Sequence, residues 1–542
     1  MATGTNEPII TIRGLRIEAG GEGAWEEIVH GIDLELRPGE VLGLIGESGA
    51  GKSTVGLAAM GYARSGVRIS GGEILFDGKD LRKASESERR RLRGRRAAYV
   101  AQSAAAAFNP AHRLIDQCVE VPLLTGQNRR SAQELIEDLF ARLQLPDPKT
   151  IGLRYPHQLS GGQLQRAMTA MAMGPHPEVI VFDEPTTALD VTTQVEVLAA
   201  IRAAVRELSL SAIYISHDLA VVAQIADRIM VLRHGALVEE GPTSAILSAP
   251  REDYTRRLVA LRQFRKQQRI EAAKPVLAVD NIQMSFGEKP VLQDISLDAR
   301  EGETLAIVGE SGSGKSTLAR VIAGLLQPAS GTVALAGQRL DSDYRRRTRD
   351  QLRKIQLIHQ SPDTALNPQQ PVRKILGRAL SFYFGLRGAE LTGRVRALLQ
   401  MVELDPDRVL DRKPDELSGG QKQRLCIARA LAAEPLVLIC DEVTSALDPL
   451  VAEEVLKLLD RLQRERRLTY LFITHDIATV RAIADRVAVF QAGRVVEQGP
   501  KEQILLSPTQ AYTKTLLAST PEMDIHWLDG LLAERAALKR RA

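Results

Sequence analysis

The chain has 542 residues, of which 44% are hydrophobic and 25% charged, an ordinary balance for a folded protein with several domains of roughly 100–200 residues each. Its formal net charge is only +4, from 71 basic and 67 acidic residues, which argues against a protein built chiefly to coat nucleic acid. Cysteine is limited to Cys118, Cys426 and Cys440 with no CxxC pair, so a disulfide framework or structural zinc site is not expected and a reducing compartment fits. The first residues, MATGTNEPII, lack the basic start and apolar run of a signal peptide. No apolar run reaches the ~18–20 residues of a membrane helix, so any work at a membrane needs other chains to do the crossing.

In chain order, the first half opens on an apolar run, VLGLIG (41–46), leading into GESGAGKST (46–54). YVA before Gln102, HQLSGGQLQR (157–166), VFDEPTTALD (181–190), YISHDLA (214–220) and EDYTRRLVA (252–260) follow. Every one returns. TLAIVG (304–309) leads into GESGSGKST (309–317), and LIH before Gln360, DELSGGQKQR (415–424), ICDEVTSALD (439–448), FITHDIA (472–478) and QAYTKTLLA (510–518) come after it. The later pairs are shifted by 258 residues, as from His217 to His475, and the lysines Lys52 and Lys315 by 263. So near-constant an offset means two copies of one domain. Short continuous apolar runs between helical stretches read as buried parallel strands. The expected class is α/β, with functional residues at the carboxyl ends of strands, where open sheets bind ligands. The domains are placed at 5–262 and 276–522. A polar, basic linker at 263–275 ends in Lys-Pro, and a tail spans 523–542. The tail's Ile525, Leu528, Leu531 and Leu532 could share one helical face, for packing on its own domain or for a partner.

GxxxxGK followed by Ser fits at 46–53 and 309–316. Gly46, Gly49 and Gly51, and Gly309, Gly312 and Gly314, let backbone N–H groups wrap around phosphates without side-chain clashes. Lys52 and Lys315 would reach the β- and γ-phosphates. Ser53 and Ser316 would place a hydroxyl on Mg²⁺, with Thr54 and Thr317 next in a helix whose N-terminus faces the anion. Asp183 and Asp441 end apolar strands, the place for a carboxylate facing the metal. Glu184 and Glu442 beside them could orient or deprotonate a water; a helix cap or ion pair is the bland alternative. His217 and His475 each follow an apolar strand and would bond a γ-phosphate or the attacking water. Gln102 and Gln360, at apparent strand ends, could bind a metal-bound water. The stretches Ser160, Gly161, Gly162, Gln163 and Ser418, Gly419, Gly420, Gln421 each open a helix, making a second anion-binding N-terminus per half.

Walker A, a Q-loop, LSGGQ, Walker B with its glutamate, the D-loops TALD and SALD and a histidine switch thus occur in order in both halves. On these the chain resembles ATP-binding cassette (ABC) proteins with two nucleotide-binding domains, over nearly all its length. The resemblance implies two tandem P-loop NTPase domains, each with a RecA-like α/β core, an antiparallel β subdomain and a helical subdomain, using ATP and Mg²⁺. It further implies head-to-tail cassettes, with Lys52 sharing a nucleotide with Ser418 and Gly420, and Lys315 with Ser160 and Gly162. Asp190 and Asp448 would couple the two sites. Both halves keep lysine, glutamate, histidine and signature serine, so two hydrolytic sites are expected. Val443 stands where the first half has Pro185. Phe286 sits where the family stacks an aromatic on adenine; the first half offers Ala19 there, and Trp25 either substitutes or belongs to the core.

YPHQLSGGQLQR, the FNP and LNP stretches, and YTRRL and YTKTL resemble the peptide, nickel and opine branch of ABC importers. That likeness implies two separate membrane permease subunits gripped by 103–158 and 361–416, an extracytoplasmic solute-binding protein, and a place on the cytoplasmic face of the inner membrane. Some cassettes of the branch carry an iron–sulfur cluster on a late cysteine group; with no cysteine after Cys440, none is expected here. The rival classes are a soluble tandem cassette acting on ribosomes or nucleic acid, and the ATPase of an exporter. The arginine runs at 87–96 and 344–354 are the main support for the former, against the plainer reading of a solvated face and no direct nucleic-acid contact.

Overall fold

Strands Val41–Gly46 and Thr304–Gly309 are buried at every residue, as continuous apolar runs in the middle of a parallel sheet should be. The computed structural model describes residues 7–21, 24–186, 189–260, 266 and 274–541. They fall into two units, Met1–Ala260 with Pro521–Ala542, and Leu261–Thr520.

In the first unit a six-stranded sheet runs in the order Ala236–Pro242, Arg228–Arg233, Val41–Gly46, Ser211–Ile215, Val179–Asp183, Ala97–Val100. All neighbours are parallel except the first pair. Register sets Asp183 beside Ile215, and Ile215 beside Leu44, so three carboxyl ends reach one edge together. A four-stranded antiparallel sheet covers the other side of the phosphate-loop helix. One apolar core joins the two sheets, with Ile12, Val29, Val55, Val181 and Ile213 among its members. The second unit repeats both sheets in the same connectivity.

Between the strand before the glutamine and the LSGGQ helix, each unit builds a helical region. In the first, Arg129–Arg142 is capped by Asn128 and buries Ala132, Ile136, Leu139 and Phe140, the i, i+4, i+7, i+8 stripe of an amphipathic helix. In the second, Val372–Phe384 and Gly388–Met401 do the same work. The α/β core, antiparallel sheet and helical region expected from the sequence are thus present twice.

Part of each arginine run is occupied locally. Arg89, Arg90 and Arg93 pair with Glu86, and Arg96 bridges Glu178 and Asp77. Arg347 is buried, donating to the carbonyls of Asp341 and Ile322. The tail forms the helix Trp527–Arg541 and is part of the first unit, although it follows the second in sequence.

Candidate functional site

Each phosphate loop leaves its strand at a glycine and enters its helix at another. Gly51 and Gly314 cap the helices Lys52–Ala58 and Lys315–Ile322 in the left-handed conformation, with φ of 86° and 102°. A β-carbon on Gly314 would lie 2.8 Å from the Val291 carbonyl oxygen, so both backbone conformation and space demand glycine here. The lysines are drawn back over their loops. Lys52 Nζ donates to the carbonyls of Gly46 (2.7 Å) and Glu47 (2.8 Å), and Lys315 Nζ to those of Gly309 (2.7 Å) and Glu310 (2.6 Å). Both are at least nine-tenths buried.

The next serine meets the strand-end carboxylate in each unit. Ser53 Oγ donates to Asp183 Oδ1 at 2.7 Å, and Ser316 Oγ to Asp441 Oδ1 at 2.9 Å. A hydroxyl and one carboxylate oxygen side by side, next to a phosphate loop, form the sparse protein donor set that suits Mg²⁺, whose remaining positions go to phosphate and water. Burial pushes the Asp441 carboxyl above its ordinary value, so a cation there would relieve a desolvated charge. Among the described residues no group of three or more His, Cys, Asp or Glu side chains is arranged to hold a metal. The Ser–Asp pair alone is too small to form such a group.

Beyond the aspartate, the chain turns at Glu184 and Glu442, both with positive φ (48° and 51°). A non-glycine residue held left-handed costs about 1–2 kcal/mol and concentrates at functional sites. The strain is held by a backbone bond from each glutamate N–H to the carbonyl of Ile215 or Ile473 (2.9 and 3.0 Å). The two carboxylate oxygens are then divided. Gln102 Nε2 donates to Glu184 Oε2 (2.9 Å) and His217 Nδ1 lies 3.3 Å from Oε1. Gln360 Nε2 donates to Glu442 Oε2 (2.8 Å) and His475 Nδ1 lies 3.2 Å from Oε1. The glutamines therefore sit on the glutamates and not on the Ser–Asp pairs. The His475 hydrogen bond holds Glu442 below the ordinary carboxylate range, and Glu442 in turn raises His475. Burial opposes the charged form of His217, but its bond to Glu184 and the carboxylate charge outweigh it and raise its pKa.

Ser160 and Ser418 cap the helices Gly161–Met173 and Gly419–Leu431, each in a reciprocal box with Gln163 or Gln421. A β-carbon on Gly162 would lie 2.2 Å from Thr193 Cγ2, and one on Gly420 2.6 Å from Val451 Cγ1. The second glycine of each turn therefore lets its helix lie against the helix that follows the D-loop. Asp190 caps that helix in the first unit by accepting from Thr193 N–H at 3.0 Å. Asp448 occupies the same position in the second.

The units differ around these shared parts. Tyr99 Oη donates to Asp183 Oδ2 at 2.5 Å, and Arg64 reaches both Tyr99 Oη (3.3 Å) and Asp183 (3.9 Å). The second unit has Leu357 in place of the tyrosine. The sequence reading missed Tyr99; the signal was a polar side chain three residues before Gln102 in an otherwise apolar strand. Phe286 ends its strand 54% exposed. Ala19 pairs across to Glu26, and Trp25 is exposed with the Arg68 guanidinium 4.2 Å from its ring centroid. Arg68 is tied to Glu18 at 2.7 Å, so this ring face already stacks on a cation.

The sequence also matches known families. The model described as "ABC transporter" matches residues 29–187 and 292–445, and that described as "Oligopeptide/dipeptide transporter, C-terminal region" matches 496–540. The chain is 37% identical over 561 residues to the Glutathione import ATP-binding protein GsiA of Salmonella paratyphi A, covering 95% of this chain and 90% of that protein. To its namesake in Escherichia coli O6:H1 it is 36% identical over 558 residues, covering 95% and 89%. The chain belongs to the ABC transporter family, with two ATP-hydrolysing cassettes in one polypeptide.

Proposed function

We propose that this chain is the subunit that hydrolyses ATP to energise an importer for peptides or related small solutes. The reading is carried by the Gln–Glu–His line beside a Ser–Asp pair, built twice at matching distances, in a chain whose relatives are named for glutathione import. Lys52 and Lys315 bind the terminal phosphates once ATP displaces their carbonyl contacts. Ser53 with Asp183, and Ser316 with Asp441, hold Mg²⁺, which when bound neutralises phosphate charge. Glu184 and Glu442 accept a proton from the attacking water, each carboxylate aimed by its left-handed backbone and by the paired histidine. Phe286 stacks on adenine in the second cassette. The turns at Ser160 and Ser418 serve the nucleotide of the opposite cassette, so each cradle is half a site; ATP draws the cassettes together and hydrolysis releases them.

No described helix is long and apolar enough to cross a membrane. The crossing falls to two permease subunits, fed by an extracytoplasmic solute-binding protein, with this chain on the cytoplasmic face of the inner membrane. Several arginines of the two runs are paired with nearby carboxylates or carbonyls, which supports reading the runs as part of the cassette surface, with no direct nucleic-acid contact. The test is Glu184→Gln with Glu442→Gln. Turnover should fall about 10²–10⁴-fold, the usual contribution of a general base, while equilibrium dialysis finds ATP binding intact. Unchanged turnover refutes the assignment, and co-purification with ribosomes in place of two membrane proteins refutes the transport reading.

A further inference from the structure

The segments that follow the two cassettes are both anchored, by opposite chemistry. Lys266, in the segment after the first cassette, belongs to the second unit. Its ammonium is buried there, 2.6 Å from Asp485 Oδ2 and 2.6 Å from Gln463 Oε1, and Lys501 Nζ donates to its carbonyl at 3.1 Å. The segment after the second cassette belongs to the first unit. There the buried Gln224 donates to the carbonyls of Glu522 (3.1 Å) and Asp524 (3.0 Å) and accepts from Leu528 N–H (3.1 Å). Asp529 pairs with the buried Arg202, and Leu528 and Leu531 are covered.

At the 258-residue offset Lys266 corresponds to Asp524, Asp485 to Asp227, and Arg202 to Asp460. The two seats are thus matching places in the repeat: both keep an acid, Asp227 or Asp485, but the first has Arg202 where the second has Asp460, and the straps bring Asp524 and Lys266. The linker brings a cation to an acidic seat, and the tail brings an anion to a basic one. Where Lys266 would sit in the first unit, a cavity of about 300 Å³ lies beside Asp227, Arg202 and Val41. Its acid would repel Asp524, so the tail lies along Gln224 and Arg202 instead. The tail fits only its own seat, because in the second unit Asp529 would face Asp460 where the first unit offers Arg202.

We propose that the linker at Lys266 and the tail at 522–531 are reciprocal straps, each sealing the cassette it does not belong to by sequence, and that they hold the two halves together between rounds of ATP binding. Two such tethers raise the effective concentration of each half for the other. The test uses the full chain with a specific protease site replacing 268–272, cut after folding and without nucleotide. Lys266 then stays on the first fragment and the tail on the second. The fragments are expected to co-elute at the mass of the uncut chain. In a chain that also ends at Thr520 and carries Lys266→Met, cutting should release two separate fragments. Separation in the first case, undiminished co-elution in the second, or a particle of twice the mass overturns the proposal. A second readout needs no truncation: in uncut Asp529→Arg, amide exchange across 522–531 should rise about tenfold or more, while 477–486 keeps its protection. Unaltered exchange in the tail also overturns it.

Discussion

Replacing Lys266 by methionine keeps the length of the side chain and deletes its charge. In the structure this ammonium and the Asp485 carboxylate are 7% and 9% exposed at 2.6 Å. Without the lysine, Asp485 keeps one donor to Oδ2, the Thr304 N–H at 2.8 Å, while its Oδ1 has no partner even now. Glu303, a second buried carboxyl, is pushed up by burial, with the Asp485 charge adding to the rise. Breaking a buried pair by removing one member costs about 3–5 kcal/mol, because the other charge stays buried. At ~2–4 °C per kcal/mol for a unit of this size, the second unit should melt ~6–20 °C lower, with the first unit's transition as internal reference in differential scanning calorimetry. Adding Asp485→Asn removes the stranded charge and leaves an oxygen for the Thr304 N–H, so the double variant should regain at least about half the loss, as coupled neighbours do. A single variant that loses under ~1 kcal/mol, or a double variant no better than the single, would show that this lysine does not anchor the segment.

Gly162→Ala should destabilise the first unit by about 1–3 kcal/mol in urea unfolding, the usual cost of overpacking, because its methyl meets Thr193 Cγ2; Thr193→Ser, which removes that methyl, should restore most of it, and no rescue would place the strain elsewhere. By NMR, His475 should titrate above 6.5 in nucleotide-free protein and fall back in Glu442→Gln. The sign follows from the pair: the raised histidine contributes stability fully below its unfolded value and loses it as pH rises through its folded one, whereas the lowered Glu442 contributes above 4.5 and loses it as pH falls. Tyr99→Phe in a chain carrying Lys315→Ala frees Asp183 Oδ2 of a hydrogen bond to a charged group. Such a bond is worth about 1.5–3 kcal/mol, so Mn²⁺ bound with a non-hydrolysable ATP analogue should tighten about tenfold by electron paramagnetic resonance; equal affinity would mean that the phenol does not compete with the metal.

The strands and the residues at their ends were legible because a strand buried on both faces must be apolar throughout, and the reacting groups stand at the first polar position past each run. VIVFD and LVLICD announce Asp183 and Asp441 in that way. Other features have no local signature. The left-handed turn at Glu184 is a tertiary arrangement, fixed by a bond to Ile215 on the neighbouring strand. Ile525, Leu528 and Leu531 reveal that the tail has an apolar face but not which surface it covers. Lys266 is one cation in a basic stretch, and only the acid 219 residues away sets it apart. Trp25 read equally as stacking platform or core residue, and it is exposed with a guanidinium lying on its ring.

Any inequality between the cassettes must therefore arise outside the Gln–Glu–His line and the Ser–Asp pair. The Gln–Glu, His–Glu and Ser–Asp distances differ between units by no more than 0.2 Å, from 2.9 against 2.8, 3.3 against 3.2, and 2.7 against 2.9 Å. The neighbours of those groups do differ. Asp183 is held by a phenol with a guanidinium behind it, whereas burial raises Asp441. A carboxylate already satisfied gains less from a cation than a desolvated one does. Under the roles proposed for these residues, the second cassette, with Phe286 exposed and burial raising Asp441, should hold its Mg²⁺ and nucleotide the more tightly.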